Sequence, residues 1–321
     1  MDLGFLTVVE VGMKDRFASE SETGRWHTLL DRSGTGAWVK ALGPDHAAVW
    51  AAGGGTLLVT FEQAREILTG ATVGHTLAAQ LAEPAGWSRL TLVAHGATWF
   101  RDRAVYDFFD ERVDSEFFDA FDRVVFYGAG MCGYAACAYS VVAPGAAVVA
   151  LAPQATLDPA RLDWDRRFLM ARRRDFTSRY GYAPDMIEAA CCAAILYDPA
   201  QTLDAMHAAL FDGPNVMRLA TPYCGDALEA HLSAMAVLPE LIDAAGEGQL
   251  TAEVFFRLFR ARRQHAPYLA ALLDRLDKSG RTDLARGVLR HASHVAEHEH
   301  LTGARTDLDR RLRRHRPDVP V

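Results

Sequence analysis

The segment Arg123–Ser140 constrains the fold of this chain more than any other. It begins with RVVFYG, a short and continuous apolar run, continues through the glycine-rich turn Gly128–Gly133, and then forms a small-residue helical pattern that stops at Pro144 and Gly145. A strand without polar alternation is typical of a sheet that helices cover on both faces. The segment therefore predicts a strand that passes through a tight turn directly into a helix, inside an α/β domain.

Strands and helices alternate around this segment. Apolar runs such as LLVTF, LTLVA, AVVAL, AAILY and VMRLA are separated by turns and by helical patterns. This alternation predicts βαβ units and a mostly parallel, doubly wound sheet over residues 1–230. An Arg-rich, polar and helical insertion occupies about residues 158–190. Residues 231–321 are helical by period and end in a basic tail, so we expect them to form an all-α extension attached to the sheet domain.

Composition and charge exclude several functional classes. The 321 residues carry a formal net charge of −7 and are 50% hydrophobic, as in an ordinary globular protein. A nucleic-acid partner is not expected, since phosphate contacts need concentrated Lys and Arg. No signal-peptide pattern and no run long enough to span a membrane is evident, so no membrane partner is expected. The five scattered cysteines contain no CxxC pair, which favours reduced thiols, a cytoplasmic protein, and neither a metal nor a cofactor.

The glycine turn allows two interpretations. Taken literally, Gly128–Gly133 reads G-x-G-x-x-G after a strand and before a helix, which is the pattern of an NAD(P)-binding Rossmann-type protein. That interpretation requires an acidic residue at the end of the next strand to hold a ribose hydroxyl. Here the next strand ends in Pro153 and Gln154. The dinucleotide hypothesis stays open as an alternative.

The second interpretation is a nucleophile elbow, in which a strained G-x-S-x-G turn raises one side chain above the sheet. The string GAGMCGYAAC resembles the GSSMGGYAAL-type elbow of a bacterial branch of the α/β-hydrolase superfamily, and the matching positions are Gly128, Met131, Gly133, Tyr134, Ala135 and Ala136. The resemblance extends over about residues 57–232. It implies an α/β-hydrolase-like fold in which the Arg-rich insertion is a cap over the site.

The departures from this pattern decide the expected chemistry. The serine of the family pattern falls on Gly130, and the turn in which the family carries its histidine holds Asp226. The acid would follow the strand that ends in LYDP, where Asp198 stands, with Asp204 as a second candidate. Glycine has no atom that can attack a carbonyl, and a carboxylate cannot replace a neutral imidazole as a base without a large pKa shift. We therefore expect a degenerate relative of hydrolases that act on ester or other acyl bonds.

Backbone donors of an oxyanion site can survive the loss of a triad, because they need no side chain. Met131 and the loop after the strand that ends at Phe61 would supply them, so we expect a small anionic or carbonyl-containing ligand. An alternative is a non-triad enzyme that uses Cys132, Asp198 or Asp226. The remaining ligand-binding candidates lie in the elbow, after the next strand or beside the missing histidine: Gly128, Gly130, His95, Trp99, Arg101 and Cys224. The C-terminal helices are the expected surface for a protein partner.

Overall fold

The fold is a single twisted sheet with helices on both faces. The computed structural model describes residues 37–69 and 75–298. Residues 1–36 of the expected sheet domain and the basic tail therefore lie outside the described residues. The strands are β1 (Trp38–Leu42), β2 (His46–Ala51), β3 (Gly54–Gln63), β4 (Trp87–Ala94), β5 (Arg123–Ala129), β6 (Ala147–Leu151), β7 (Cys192–Tyr197) and β8 (Val216–Ala220).

These strands form one eight-stranded sheet in the order β1-β2-β4-β3-β5-β6-β7-β8. Strand β2 is antiparallel to both β1 and β4, whereas every pair from β4 onward is parallel. The mostly parallel, doubly wound sheet predicted from the alternation of strands and helices is confirmed. Because parallel strands end at the same edge, the loops that follow β3, β5, β6, β7 and β8 meet there.

The helices within the described ranges connect and cover the strands. They are α1 (Ala64–Thr69), α2 (Leu77–Ala85), α3 (Arg103–Asp114), α4 (Met131–Tyr139), α5 (Ala183–Met186), α6 (Thr202–Ala209), α7 (Leu228–Ala234), α8 (Val237–Gly246), α9 (Ala252–Leu258), α10 (Ala266–Lys278) and α11 (Thr282–His298). None of them is both long and apolar enough to cross a membrane.

Two apolar layers lie on the two faces of the sheet. Alternate residues of β5 face opposite layers, with Phe126 in one and Val125 in the other. The first layer contains the buried side chains of α3. It also contains α4, and all residues of α4 are buried. The second layer contains α2 and the leucines of α7 and α8. Burial on all sides explains why α4 consists of small and apolar residues.

The C-terminal helices fall into two groups. The apolar layer that includes α7 and α8 continues through Phe255 and Phe259, past the expected domain limit at residue 230, because these side chains cover the second face of the sheet. Helices α10 and α11 pack mainly on each other through Leu273, Leu276 and Leu289. The two groups therefore differ in what they pack against, since the first covers the sheet and the second forms a helix pair.

The insertion between β6 and β7 covers the edge of the sheet near the elbow. Its regular structure is limited to a short 3-10 turn, Ala171–Arg173, and to α5, and irregular chain joins them. Asp175 and Asp165 close turns in that chain by accepting backbone N–H groups. Competing side-chain bonds of this kind oppose a continuous helix and explain why the cap is only partly helical.

Candidate functional site

The elbow lies where β5 passes into α4. Gly130 has φ 56° and ψ −119°, a conformation that residues with a side chain rarely adopt. Its N–H donates to the carbonyl of Leu151 on the neighbouring strand at 2.7 Å, which fixes the turn against the sheet. Gly130 therefore lies in a positive-φ turn between a strand and a helix, which is the position that the elbow interpretation gives to a nucleophile.

The three glycines of the turn have different surroundings. A Cβ at Gly128 would collide with the backbone carbonyl of Cys132, and one at Gly133 would come within 3.1 Å of the carbonyl of Leu151. A Cβ at Gly130 would meet nothing within 4 Å. Gly128 and Gly133 thus allow the helix to approach the sheet, whereas Gly130 faces open space where a nucleophile side chain would project.

A cavity of about 270 Å³ opens above Gly130 and Met131. Its charged lining comes from α1, the cap, α6 and the segment after β8: Glu66, Arg167, Asp204, Asp226 and Glu229. Carboxylates outnumber the guanidinium in this lining, so the cavity is acidic. The amides of the first turn of α4 receive no side-chain cap, because Gly130 has no side chain to supply one.

Asp198 lies where the acid of a triad is expected, but the backbone already satisfies its carboxylate. Oδ1 accepts the N–H of Ala200 at 2.9 Å, and Oδ2 accepts the N–H of Gly225 at 2.7 Å. Asp198 is buried and joins the loop after β7 to the turn after β8. Asp226 follows Gly225 in a 3-10 turn, is exposed and lines the cavity. The structure thus joins Asp198 to the turn that holds Asp226, and no histidine is among the described residues that line the cavity.

A buried polar network attaches the cap above the elbow. Arg167 donates to Asp165 through Nε and Nη2 and to Asp204 through Nη1, at distances between 2.7 and 3.2 Å. His207 is fully buried and bonds to Asp165 through Nε2 at 2.9 Å, while its Nδ1 accepts the N–H of Ala155. This backbone donor fixes the tautomer, so Nε2 carries the proton and donates to Asp165.

The protonation states within this network follow from burial and hydrogen bonding. Burial lowers the pKa of His207 and outweighs the effect of Asp165, so the imidazole is neutral. Burial raises the pKa of Asp165, but the bonds from Arg167 and His207 outweigh that effect and lower it to about 2. The helix pattern around Asp204 and His207 was visible in the sequence, but their pairing with the insertion was not.

A second cavity, of about 450 Å³, adjoins the first and shares Glu66, Ala129 and Glu229 with it. Glu62 lies in its wall at the end of β3 and accepts the N–H groups of Leu77 and Ala78 at 2.8 and 3.0 Å, which caps α2. Burial raises the pKa of Glu62 to about 7 despite these bonds. These carboxyl groups were not among the expected site residues.

Cys132 lines the second cavity from the first turn of α4. Burial, followed by Glu66, Glu229 and Glu62, raises the pKa of its thiol well above the ordinary value. A nucleophilic cysteine requires the thiolate, which cationic neighbours favour. The acidic and buried surroundings of Cys132 keep it protonated instead.

The other expected ligand-binding residues are distributed over the wall and the support of the site. Phe61 is buried and lines the second cavity. Trp99 is buried, and its Nε1 donates to Gln154 at 3.0 Å. Arg101 donates to the carbonyls of Asp175 and Arg179 and to the hydroxyl of Ser178, which places it under the cap and outside the described cavities. His95 lies half-buried just after β4, and its backbone N–H donates to Asp45.

Cys224 belongs to the apolar layer on the other face of the sheet from Cys132. Burial and then Asp198 raise the pKa of its thiol to about 12, while Arg262 opposes this shift. Both cysteines are free thiols. Cys224 is therefore a packing residue beside the turn that holds Asp226.

The dinucleotide interpretation is not favoured. The strand that follows the glycine turn, β6, ends at Leu151 and continues into Ala152, Pro153 and Gln154, without a carboxylate for a ribose. The N–H of Gly130, which would face a pyrophosphate, is bonded to Leu151. The turn therefore lacks two features of a dinucleotide site.

No protein-family model matches this chain, and no curated protein matches it at a significant level. Among solved structures, the hyperthermophilic esterase from the archaeon Pyrobaculum calidifontis is 14% identical at a TM-score of 0.45, over 74% of this chain and 94% of that one. The HSL-homolog EstE7 from a metagenome library is 15% identical at a TM-score of 0.45, over 73% and 93%. The capsule O-acetyltransferase of Neisseria meningitidis serogroup A is 10% identical at a TM-score of 0.38, over 65% and 96%.

At these identities and TM-scores, the matches say nothing about the chemistry of this chain. The fold class rests on the strand order and on the strained turn between β5 and α4. The architecture is α/β-hydrolase-like, with a cap after β6 and a helical C-terminal region.

Proposed function

We propose that this protein is a degenerate α/β-hydrolase-like protein that lacks Ser-His-Asp catalysis and binds a small carbonyl-containing ligand above the elbow. One observation carries the proposal. Gly130 keeps the strained backbone of a nucleophile elbow and faces open space, but it contributes no reactive atom.

The rest of the expected triad supports the loss of this chemistry. Each carboxylate oxygen of Asp198 accepts one backbone N–H group, so this side chain joins two loops. Asp226 supplies a carboxylate where proton transfer would need an imidazole with a pKa near neutrality. A turn without a nucleophile side chain and a carboxylate in place of the expected histidine favour binding over acyl transfer.

The ligand chemistry follows from the donors and charges of the cavity. The uncapped amides at the start of α4 suit a carbonyl oxygen, and Arg167 presents a partly exposed guanidinium that its carboxylate partners hold in place. The acidic lining disfavours an anion. Of the two ligand types expected from the sequence, the neutral carbonyl compound is therefore the one we propose.

Butyramide and butyrate test this choice, because they share a carbon skeleton and differ in charge. Saturation-transfer NMR should detect butyramide on the protein and a weaker or no signal from butyrate. A Gly130→Phe variant should abolish the butyramide signal by filling the cavity. Gly145→Phe is the matched control, since Gly145 also has a positive φ and open space around a Cβ but precedes β6 at the far end of the sheet. Preference for butyrate, or equal loss in both variants, would contradict the proposal.

A further inference from the structure

A cluster of arginines lies on the C-terminal side of the molecule, outside the elbow. Helix α9 and the 3-10 helix that follows it, Phe259–Gln264, carry the members of this arginine surface: Phe256, Arg257, Arg260, Arg262 and Arg263. Together they line an open concavity of about 700 Å³. We infer that this surface binds an acidic peptide segment of a partner protein.

The charge of the surface is unbalanced locally. The lining contains four arginines and one carboxylate, Glu253, although the chain as a whole carries a net charge of −7. Within residues 37–69 and 75–298, the side chains of Arg257, Arg260 and Arg263 make no hydrogen bond or ion pair. By contrast, Arg167 and Arg179 of the cap are paired with carboxylates. Guanidinium groups that lie close together without partners repel one another, and a bound polyanion relieves this repulsion.

One arginine of the surface is already ordered. Arg262 donates to the carbonyl of Phe259 at 2.7 Å and to the hydroxyl of Tyr268 at 3.3 Å. Its guanidinium also stacks on the ring of Phe259, 4.7 Å from the centroid. A guanidinium fixed in this way loses little conformational entropy when it binds a carboxylate, which favours affinity.

The backbone beneath the surface is also held in place. His291 on α11 bonds through Nε2 to the carbonyl of Arg263 at 2.7 Å, and Tyr268 packs into the apolar contact between α10 and α11. The arginine surface therefore rests on a supported segment and not on a free loop. Pre-organised surfaces of this kind bind extended segments without a large folding cost.

Phe256 adds an apolar contact among these charges. Its side chain is 48% exposed, although a phenylalanine gains free energy by burial. Aromatic residues and arginines are both enriched at protein interfaces relative to the rest of the surface. An acidic peptide with an apolar residue would satisfy both the guanidinium groups and the ring.

The shape and the total charge favour a peptide over other polyanions. The surface is concave and short, whereas a nucleic acid is tracked by a basic stripe and a membrane is met by a broad face. The acidic excess elsewhere on the chain repels a long polyanion at low salt. A short segment of Asp and Glu needs only the local cluster.

A short fluorescein-labelled peptide of Asp and Glu with one Trp tests the inference by fluorescence anisotropy. We expect saturable binding to the full chain, and at least a tenfold loss of affinity, as an order of magnitude, in an Arg257→Gln, Arg260→Gln, Arg263→Gln variant. Phe256→Ala should weaken binding by roughly threefold or more without changing its dependence on salt.

The matched control replaces three exposed arginines elsewhere with Gln: Arg103, Arg166 and Arg173. This control should bind the peptide like the unchanged protein, and the urea unfolding midpoint should confirm that both triple variants are folded. Equal loss in the two triple variants would overturn the inference, as would the absence of saturable binding. Binding of duplex DNA or of phosphatidylserine vesicles in place of the peptide would overturn it too.

Discussion

Among single residues, two glycines of the turn between β5 and α4 are required for different reasons. Gly128 allows the first turn of α4 to lie against β5, because any Cβ there would collide with the backbone of Cys132. Gly130 has room for a Cβ. A side chain at this position would be disfavoured only by the positive φ of the backbone. Packing therefore requires a glycine at Gly128, whereas at Gly130 only the backbone conformation favours a glycine.

This difference predicts unequal effects of alanine at the two positions. Gly130→Ala should lower the free energy of unfolding by about 1–3 kcal/mol, the usual cost of a strained backbone conformation. Gly128→Ala should cost about 3 kcal/mol or more, because the helix must move away from the strand. Urea unfolding followed by circular dichroism measures both. Equal losses would mean that the space around Gly130 is not open in solution.

His46 is a buried imidazole that must remain neutral in the folded protein. Its Nε2 bonds to the hydroxyl of Thr98 at 2.8 Å, while its Nδ1 has no partner within the described residues. Burial lowers its pKa to about 4 from an ordinary value of 6.5. Between pH 6.5 and about 4, the imidazole of His46 is therefore protonated in the unfolded chain and neutral in the folded chain.

This pKa shift predicts a loss of stability on acidification. Above pH 6.5, His46 does not make the free energy of unfolding depend on pH. As the pH falls from 6.5 toward 4, this residue lowers the free energy of unfolding by about 3 kcal/mol. His46→Gln keeps a hydrogen-bonding group for Thr98 and does not titrate, so its unfolding free energy should depend less on pH in this range. Parallel pH profiles for the two proteins would contradict the assignment.

At the scale of elements, the cap depends on side chains that reach it from the sheet domain. Arg101 follows β4 and donates three hydrogen bonds to residues 175–179 of the cap, and its guanidinium lies 4.7 Å from the ring centroid of Tyr106. Arg167 fastens the cap to α6 from the other side. Irregular chain with few internal backbone bonds needs such anchors to stay closed.

Loss of the first anchor should loosen the cap without unfolding the sheet. In Arg101→Ala, hydrogen exchange of residues 158–190 should accelerate by tenfold or more, as an order of magnitude, because carbonyls and a hydroxyl lose charged donors. Exchange in β5 and β6 should change little. Arg103→Ala is the control, since that side chain is 88% exposed and, among the described residues, pairs only with Asp107. Equal acceleration in the control would show that Arg101 is not an anchor.

The sequence predicted best the elements that are determined by residues close to one another in the chain. Continuous apolar runs identified β5, β6 and β7, and the glycine-rich turn after β5 leads directly into a helix, as the sequence predicted. The cap was harder, because its arginines and aspartates suit a helix by composition while their side chains close turns instead. The bonds of Arg101 connect segments more than 70 residues apart, and a one-dimensional pattern does not contain them.

For the whole molecule, the position of the sheet core determines which part of the C-terminal region is dispensable. Phe255 and Phe259 belong to the same apolar layer as Val125 and Tyr127 of β5. The sequence predicted that the sheet domain ends at residue 230, because helical periodicity alone does not show what a helix packs against. The acidic residues around the elbow were missed for a related reason, since Glu62, Glu66 and Glu229 converge only when the sheet is formed.

Two truncations test this division of the chain. A protein that ends at Gln264 should remain folded with a cooperative unfolding transition, because α10 and α11 bury most of their apolar surface on each other. A protein that ends at residue 230 should aggregate or stay unfolded, because it exposes one apolar face of the sheet. Circular dichroism and urea titration distinguish the two. A folded protein that ends at residue 230 would restore the earlier domain limit.

Active-site labelling tests most directly whether the turn at Gly130 persists without triad chemistry. A fluorophosphonate probe reacts with an activated serine, so the native protein should show no labelling above a heat-denatured sample at saturating probe. A known serine esterase in the same assay verifies the probe. Stoichiometric labelling that a single serine substitution abolishes would contradict the claim, because a nucleophile would then act in a site that Gly130 leaves without one.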